Sequence, residues 1–222
     1  IEAIDKWEEN GYCGIFDMAT GTGKTYTGLA AIARLSKKLH GNLAIIIVVP
    51  YQHLVEQWVE DIQQFNVEPI VAYSKSKDKN WEQRFKNKVN GYNVGAVKNF
   101  CIIATYGTFA TKRFQEIILG FRKNYCFVAD EAHNLGAEKI RMMLPKTAKY
   151  RLALSATIER HRDEVGTKKI QDYFGNICIS LSLKEAINRG SLTKYYYYPV
   201  VVYLAEDELE KYHELSEKIA KY

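Results

Sequence analysis

Short apolar runs alternate along this chain with longer segments in which apolar residues recur at helical spacing. The runs at 14–17, 43–49, 69–73, 100–105, 125–130 and 151–155 have strand length and few charges. Apolar runs that do not alternate with polar residues predict strands buried on both faces, as in a parallel sheet. Segments 26–39, 53–65, 80–90 and 109–120 predict the helices between them. Leu54, Val55, Trp58, Val59 and Ile62 make the clearest stripe, on one helical face. Strand–helix alternation of this kind predicts an α/β fold, a mostly parallel sheet with helices on both faces. Ligands of such folds bind at the carboxyl ends of the strands.

The last part of the chain changes character. A strand at 177–181 and a short helix at 183–188 come first. Tyr195, Tyr196, Tyr197, Tyr198, Pro199, Val200, Val201, Val202 and Tyr203 then predict a long extended strand. Residues 205–222, rich in Glu and Lys, predict a charged helix. The expected division is a domain at 1–190 and a strand-plus-helix linker at 191–222.

Two strand ends carry chemistry. Met18-Ala19-Thr20-Gly21-Thr22-Gly23-Lys24-Thr25 follows an apolar run and opens a helical segment. Gly21 and Gly23 let backbone N–H groups turn inward, and the helix start adds unpaired donors. Lys24 is placed to reach β- and γ-phosphates, and the Thr25 hydroxyl to hold Mg2+. The layout predicts a loop that binds the phosphates of a nucleotide. It departs from the strict pattern, since Met18 stands where the first glycine belongs. The second signal is Asp130-Glu131-Ala132-His133, at the end of the apolar run 125–130. Asp130 is the candidate for the Mg2+ contact and Glu131 for positioning and deprotonating the attacking water.

Composition narrows this picture only a little. The 222 residues are 47% hydrophobic and 26% charged, which suits one globular domain with a sizeable core. A net charge of +5 is compatible with a polyanionic partner without requiring one. Cys13, Cys101, Cys126 and Cys178 lie far apart without a C-x-x-C pair. They read as reduced core thiols in a cytoplasmic protein, not zinc ligands or a disulfide framework. No apolar run reaches membrane-spanning length, and 1–5 lacks the basic start and apolar stretch of a signal peptide.

Three weaker segments also leave predicted strands. Residues 48–58 pass through Pro50 into a helix that carries His53 and Gln57. Thr105, Tyr106 and Gly107 lead into another helix start. Both would set backbone N–H groups and hydroxyls on the carboxyl edge, ready for a phosphate backbone. Ser155-Ala156-Thr157 follows the run 151–155.

Together and in this order, these segments resemble the first motor domain of superfamily 2 helicases and translocases. Residues 18–25 correspond to motif I, 48–58 to motif Ia, 105–109 to motif Ib, 130–133 to the DEAH form of motif II and 155–157 to motif III. Motifs I and Ia are most similar to the motor subunits of type I and III restriction enzymes and related bacterial DEAH-type DNA translocases.

The resemblance implies a RecA-like P-loop fold and ATP hydrolysis, with Mg2+, coupled to movement on nucleic acid, DNA being favoured over RNA. Thr20, Gly21, Thr22, Gly23, Lys24 and Thr25 would hold the nucleotide, and Thr25 and Asp130 the metal. Lys24, Asp130 and Glu131 would be catalytic. His133, Ser155 and Thr157 would couple the site to a second domain. Pro50, His53, Gln57, Thr105, Tyr106 and Gly107 would lie against the strand. The basic run Lys75, Lys77, Lys79, Arg84, Lys86 and Lys88 is either a further charge contact or a solvated face.

The family works with two RecA-like domains, the second supplying arginine fingers worth roughly 10³–10⁵ in rate. Arg160 and Arg162 lie on the first domain's own edge and are not assigned that role. The resemblance therefore implies a chain that binds nucleotide and hydrolyses it weakly by itself. It leaves room for nuclease or methyltransferase partners in a restriction or defence system without naming one. A competing reading is a nucleotide-switch or scaffold module that binds ATP without unwinding. A small-molecule kinase leaves the DEAH run and 105–109 without a role.

Overall fold

The computed structural model describes all residues except 75, 77, 137, 160–162 and 221–222, with the side chains of 136, 138, 139 and 220 also outside the description. The chain divides into two compact units, Ile1–Leu192 and Thr193–Tyr222. The first unit opens with α1 (Glu2–Glu9), β1 (Cys13–Met18), α2 (Lys24–Lys38), β2 (Leu43–Val49), α3 (Gln52–Gln63) and β3 (Ile70–Ala72). It continues through α4 (Trp81–Val94), β4 (Asn99–Thr105), α5 (Tyr106–Phe109), α6 (Lys112–Leu119), β5 (Tyr125–Asp130) and a 3-10 turn at Ala132–Gly136. The short α7 (Glu138–Arg141), β6 (Tyr150–Ser155), α8 (Glu164–Phe174), β7 (Ile177–Leu181) and α9 (Leu183–Asn188) complete it.

The strands form one seven-stranded sheet in the order β3-β4-β2-β5-β6-β1-β7. Every neighbouring pair is parallel, as the apolar runs predict. All of β2 is buried, and its successive residues point to opposite faces. Ala44, Ile46 and Val48 pack with Phe85, Phe114 and Phe174 on one face. Ile45, Ile47 and Val49 pack with Trp7, Leu29 and Trp58 on the other. Helices α4, α6 and α8 thus cover one face, and α1, α2 and α3 the other. Each large apolar side chain so buried contributes about 1.5–3 kcal/mol.

Register is what positions the site. Val49 pairs with Thr105, Val48 with Ala129, Ala129 with Ala153 and Asp17 with Ser155. The carboxyl ends of β1, β2, β4, β5 and β6 are therefore level, and the segments that leave them meet along one edge.

Three expectations change. The helix expected at 109–120 is interrupted, because Thr111 caps α6 by accepting a hydrogen bond from Phe114 N while Thr105 caps the separate α5. Helix α8 lies in a segment to which the sequence pattern assigns none. In the second unit, 195–203 forms no strand among the described residues, and its tyrosines and valines are exposed. Strand propensity describes fit to a paired, half-buried surface, and without neighbours it produces no strand. The charged helix is present as α10 (Glu206–Ala220). Among the described residues no helix is long and apolar enough to cross a membrane.

Candidate functional site

The loop after β1 is a tight turn closed by its own threonine. Thr22 N and Oγ1 both donate to Ala19 O, at 3.3 and 2.6 Å. Gly21 and Gly23 each have φ +82, which L side chains rarely adopt. A Cβ at Gly21 would also stand 3.1 Å from Leu192 Cδ2, whereas one at Gly23 would meet nothing within 4 Å. Both glycines thus suit their positive φ, and at Gly21 the end of the Leu192 side chain would also have to give. Lys24 begins α2 and is only 8% exposed. Thr20, Gly21 and Gly23 are exposed, and Thr22 and Thr25 half-buried, so the loop faces solvent with the free amides of a fifteen-residue helix behind it.

Lys24 Nζ meets Glu131 Oε1 at 3.2 Å, joining loop and acidic run. Glu131 turns toward the loop through φ +49, a left-handed conformation that costs a residue with a Cβ roughly 1–2 kcal/mol. Its neighbours hold it there. Glu131 N donates to Asp130 Oδ1 at 2.9 Å, and Asn134 N and Nδ2 both donate to Glu131 O, at 2.9 and 3.2 Å.

Asp130 is 5% exposed. The Trp58 indole N–H donates to its Oδ2 at 2.9 Å, and the Tyr106 hydroxyl donates to its main-chain carbonyl. Burial pushes the Asp130 carboxyl up, opposed by the Trp58 hydrogen bond and the Lys24 charge. The same burial, with the nearby Asp130 and Glu131 charges, pushes the Tyr106 phenol well up and keeps it a donor.

His133 bridges to the neighbouring strand. Asn134 Nδ2 and His133 Nε2 are 3.1 Å apart. His133 Nδ1 faces Ser155 Oγ at 3.0 Å and Glu131 Oε2 at 3.4 Å. Ser155 Oγ donates to Thr157 O at 2.9 Å and accepts from Thr157 N at 3.3 Å. A polar chain thus runs from Glu131 through His133 and buried Ser155 to exposed Thr157. Asp17, at the end of β1, accepts from Ile158 N at 3.2 Å and ties this loop to the strand beneath the glycine turn. Burial pushes the Asp17 carboxyl up.

The residues expected against a nucleic acid divide. Pro50 is half-buried, and His53, Gln57 and Gly107 are exposed. Tyr51 stacks on His53 with ring centroids 5.6 Å apart. Thr105 and Tyr106 are buried, which corrects the expectation that their hydroxyls face outward: one caps α5 and the other holds Asp130. Tyr106 opens a helix laid over the end of β4, and its ring passes beneath the surface toward β5. Beside Gly107 lies an open groove of about 860 Å³, lined by Tyr73, Ser74, Thr108, Thr111 and Lys112 among others. In the basic run Arg84 is paired with Asp78, while Lys79, Lys86 and Lys88 are exposed. Lys75, Lys77, Arg160 and Arg162 lie outside the described residues.

Four contributions to the site were not legible in the sequence. Trp58 was one member of an apolar stripe; only its need for an N–H partner when buried pointed further. The inward role of Tyr106 and those of Asp17 and Asn134 had no signal.

The fold is that of the first RecA-like domain of a superfamily 2 motor. Residues 1–160 match the family described as the type III restriction enzyme, res subunit, and the chain belongs to that family. It is 28% identical over 222 residues to the DNA 3'-5' translocase XPB2 of Sulfurisphaera tokodaii, all of this chain against 43% of that protein. It is 29% identical over 182 residues to the general transcription and DNA repair factor IIH helicase/translocase subunit XPB of Enterocytozoon bieneusi, 78% of this chain against 27% of that one. The chain thus spans less than half the length of these relatives. Its fold is also similar to a nuclease-deletion mutant of the type ISP restriction-modification enzyme LlaGI in complex with a DNA substrate mimic. That likeness has TM-score 0.61 and 17% identity over 85% of this chain and 20% of the other.

Proposed function

We propose that this chain is the ATP-binding first motor domain of a nucleic-acid-dependent ATPase, a helicase or translocase acting on DNA in preference to RNA. The observation that carries the reading is the Lys24–Glu131 pair. A largely buried ammonium on a glycine turn meets, at 3.2 Å, a carboxylate at the end of a parallel strand 107 residues away. That is the geometry a triphosphate site needs before it fills: an ammonium for the β/γ oxygens beside a carboxylate for the attacking water.

The donor set fits ATP and Mg2+. Two positive-φ glycines and a helix start offer amides to phosphate oxygens, with Thr20 and Thr22 beside them. Thr25 and the buried Asp130 carboxylate offer hard oxygen to the metal, which would neutralise charge on the phosphates. On this reading Lys24 leaves Glu131 for phosphate oxygen. Glu131 is then free to orient a water and take its proton. His133, Ser155 and Thr157 carry the state of Glu131 to the edge where a second RecA-like domain of the full-length protein would close and add its arginines. Pro50, His53, Gln57 and the backbone at 105–107 would track a phosphate backbone. The similarity to a DNA translocase, and to a structural neighbour bound to a DNA substrate mimic, supports DNA as the track.

The test is ATP turnover by the full-length protein with duplex DNA, single-stranded DNA or RNA, beside Glu131→Gln. Stimulation by one polymer, abolished by the substitution, is the expected result. Tight nucleotide binding that no polymer stimulates would overturn the motor reading in favour of a nucleotide switch.

A further inference from the structure

Asp130 is held from two elements that also face solvent at the carboxyl edge. From α3 the Trp58 indole reaches Oδ2 at 2.9 Å, and from α5 the Tyr106 hydroxyl reaches the main-chain carbonyl. Trp58, Tyr106 and Asp130 are all buried, so water does not substitute for either donor. Outward-facing residues lie one step along the chain. Gln57 is exposed next to Trp58, and Gly107 lines the groove next to Tyr106. A helix is stiff over such a distance, so a shift of its outer face moves its inner donor as well.

We propose that Trp58 and Tyr106 are positioning residues that aim the Asp130 carboxylate at a divalent cation and relay to it contacts made on the outer faces of α3 and α5. The inference rests on the reading of Asp130 as the metal contact. Oδ1 accepts from Glu131 N and Oδ2 from Trp58, which fixes the carboxylate plane while each oxygen keeps a lone pair for a cation or its water. The dependence is mutual: a buried indole N–H requires an acceptor, and Asp130 is that acceptor. Tyr106 anchors the backbone from which the carboxylate hangs. Two segments expected to face a nucleic acid therefore converge on one oxygen-bearing residue of the nucleotide site. Donors behind a ligating group typically change metal affinity by about 10–100-fold.

The test compares the full-length protein with Trp58→Phe and Tyr106→Phe, which keep the rings and remove the donors. Binding of a fluorescent ADP derivative is followed while Mg2+ is titrated, and again in EDTA. Trp58→Phe is expected to raise the Mg2+ midpoint about tenfold and leave affinity in EDTA at the wild-type level. Duplex DNA is expected to lower the wild-type midpoint and to lose that effect in both variants. An unchanged midpoint, or an equal loss in EDTA, overturns the positioning role. A wild-type midpoint indifferent to DNA, or variants that respond as the wild type does, overturns the relay. Wild-type binding that ignores Mg2+ would instead remove the reading of Asp130 itself. Should Trp58→Phe fail to fold, the wild-type protein answers through the Trp58 indole ¹⁵N–¹H resonance, assigned through its own backbone amide. The Trp58 signal must move when Mg2+ is added to the ADP complex; a stationary signal overturns the proposal.

Discussion

The Lys24 ammonium rests 3.2 Å from the Glu131 carboxylate, and Glu131 reaches it only through a left-handed backbone, φ +49. The carboxylate proposed as the base and the ammonium proposed for phosphate are thus each other's partner. On that proposal, phosphate oxygen entering the loop would compete with Glu131 for Lys24.

Glu131→Gln weakens that competitor, because an ion-paired hydrogen bond is about twice as strong as one to a neutral amide. Nucleotide affinity is therefore expected to rise about threefold. Turnover is expected to fall by roughly 10²–10⁴, the usual contribution of a general base. Nucleotide titration and steady-state hydrolysis measure the two separately. Weaker binding in this variant would show that Glu131 helps hold the nucleotide.

Ser155→Ala breaks the polar chain between His133 and Thr157 while leaving the loop intact. Nucleotide affinity is expected to hold. Stimulation of ATP turnover by nucleic acid is expected to drop by about 1 kcal/mol, roughly fivefold. The reading fails if the variant loses affinity and keeps full stimulation.

Gly14 in β1 leaves room for a sulfur: a Cβ there would stand 2.3 Å from Cys178 Sγ and 3.2 Å from Trp7 Cδ1. Gly14→Ala is expected to cost about 1–3 kcal/mol by overpacking. In a Cys178→Ala background the same change should cost visibly less, since the nearest clash is gone. Urea unfolding of the four proteins gives the coupling, and additive costs would rule out the sulfur as the cause.

Glu8 fixes α1 to α2. The Tyr12 hydroxyl, and then Lys38, hold its carboxyl down from 4.5 to about 2. A carboxylate with a depressed value stabilises the fold above its unfolded value, and that stability fades as pH falls through the folded one. The wild type is therefore expected to lose its advantage over Glu8→Gln between about pH 4.5 and 2. Melting temperatures of both proteins across that range test it; parallel curves would assign acid sensitivity to other groups.

Local periodicity was enough to predict the strands, and the ends of β2, β5 and β7 coincide with their apolar runs. Alternation with helices then implied a parallel sheet. A parallel sheet aligns its carboxyl ends, so the glycine turn and the acidic run were expected on one edge, while the strand order β5-β6-β1 that brings them within reach is tertiary. Chemistry carried by the chain's own order was therefore legible in the sequence. What tertiary structure alone decided is which distant side chains turn inward together. Trp58 finds Asp130 across 72 residues. Tyr106 leaves the surface to grip the same residue, and Glu131 bends back on itself to reach Lys24. Residues 195–203 are rich in tyrosine and valine, which favour strands, and form none. The periodicity of a segment records whether it has a face to bury. The partner for that face, and the hydrogen bonds closed beneath it, depend on which elements the sheet makes neighbours.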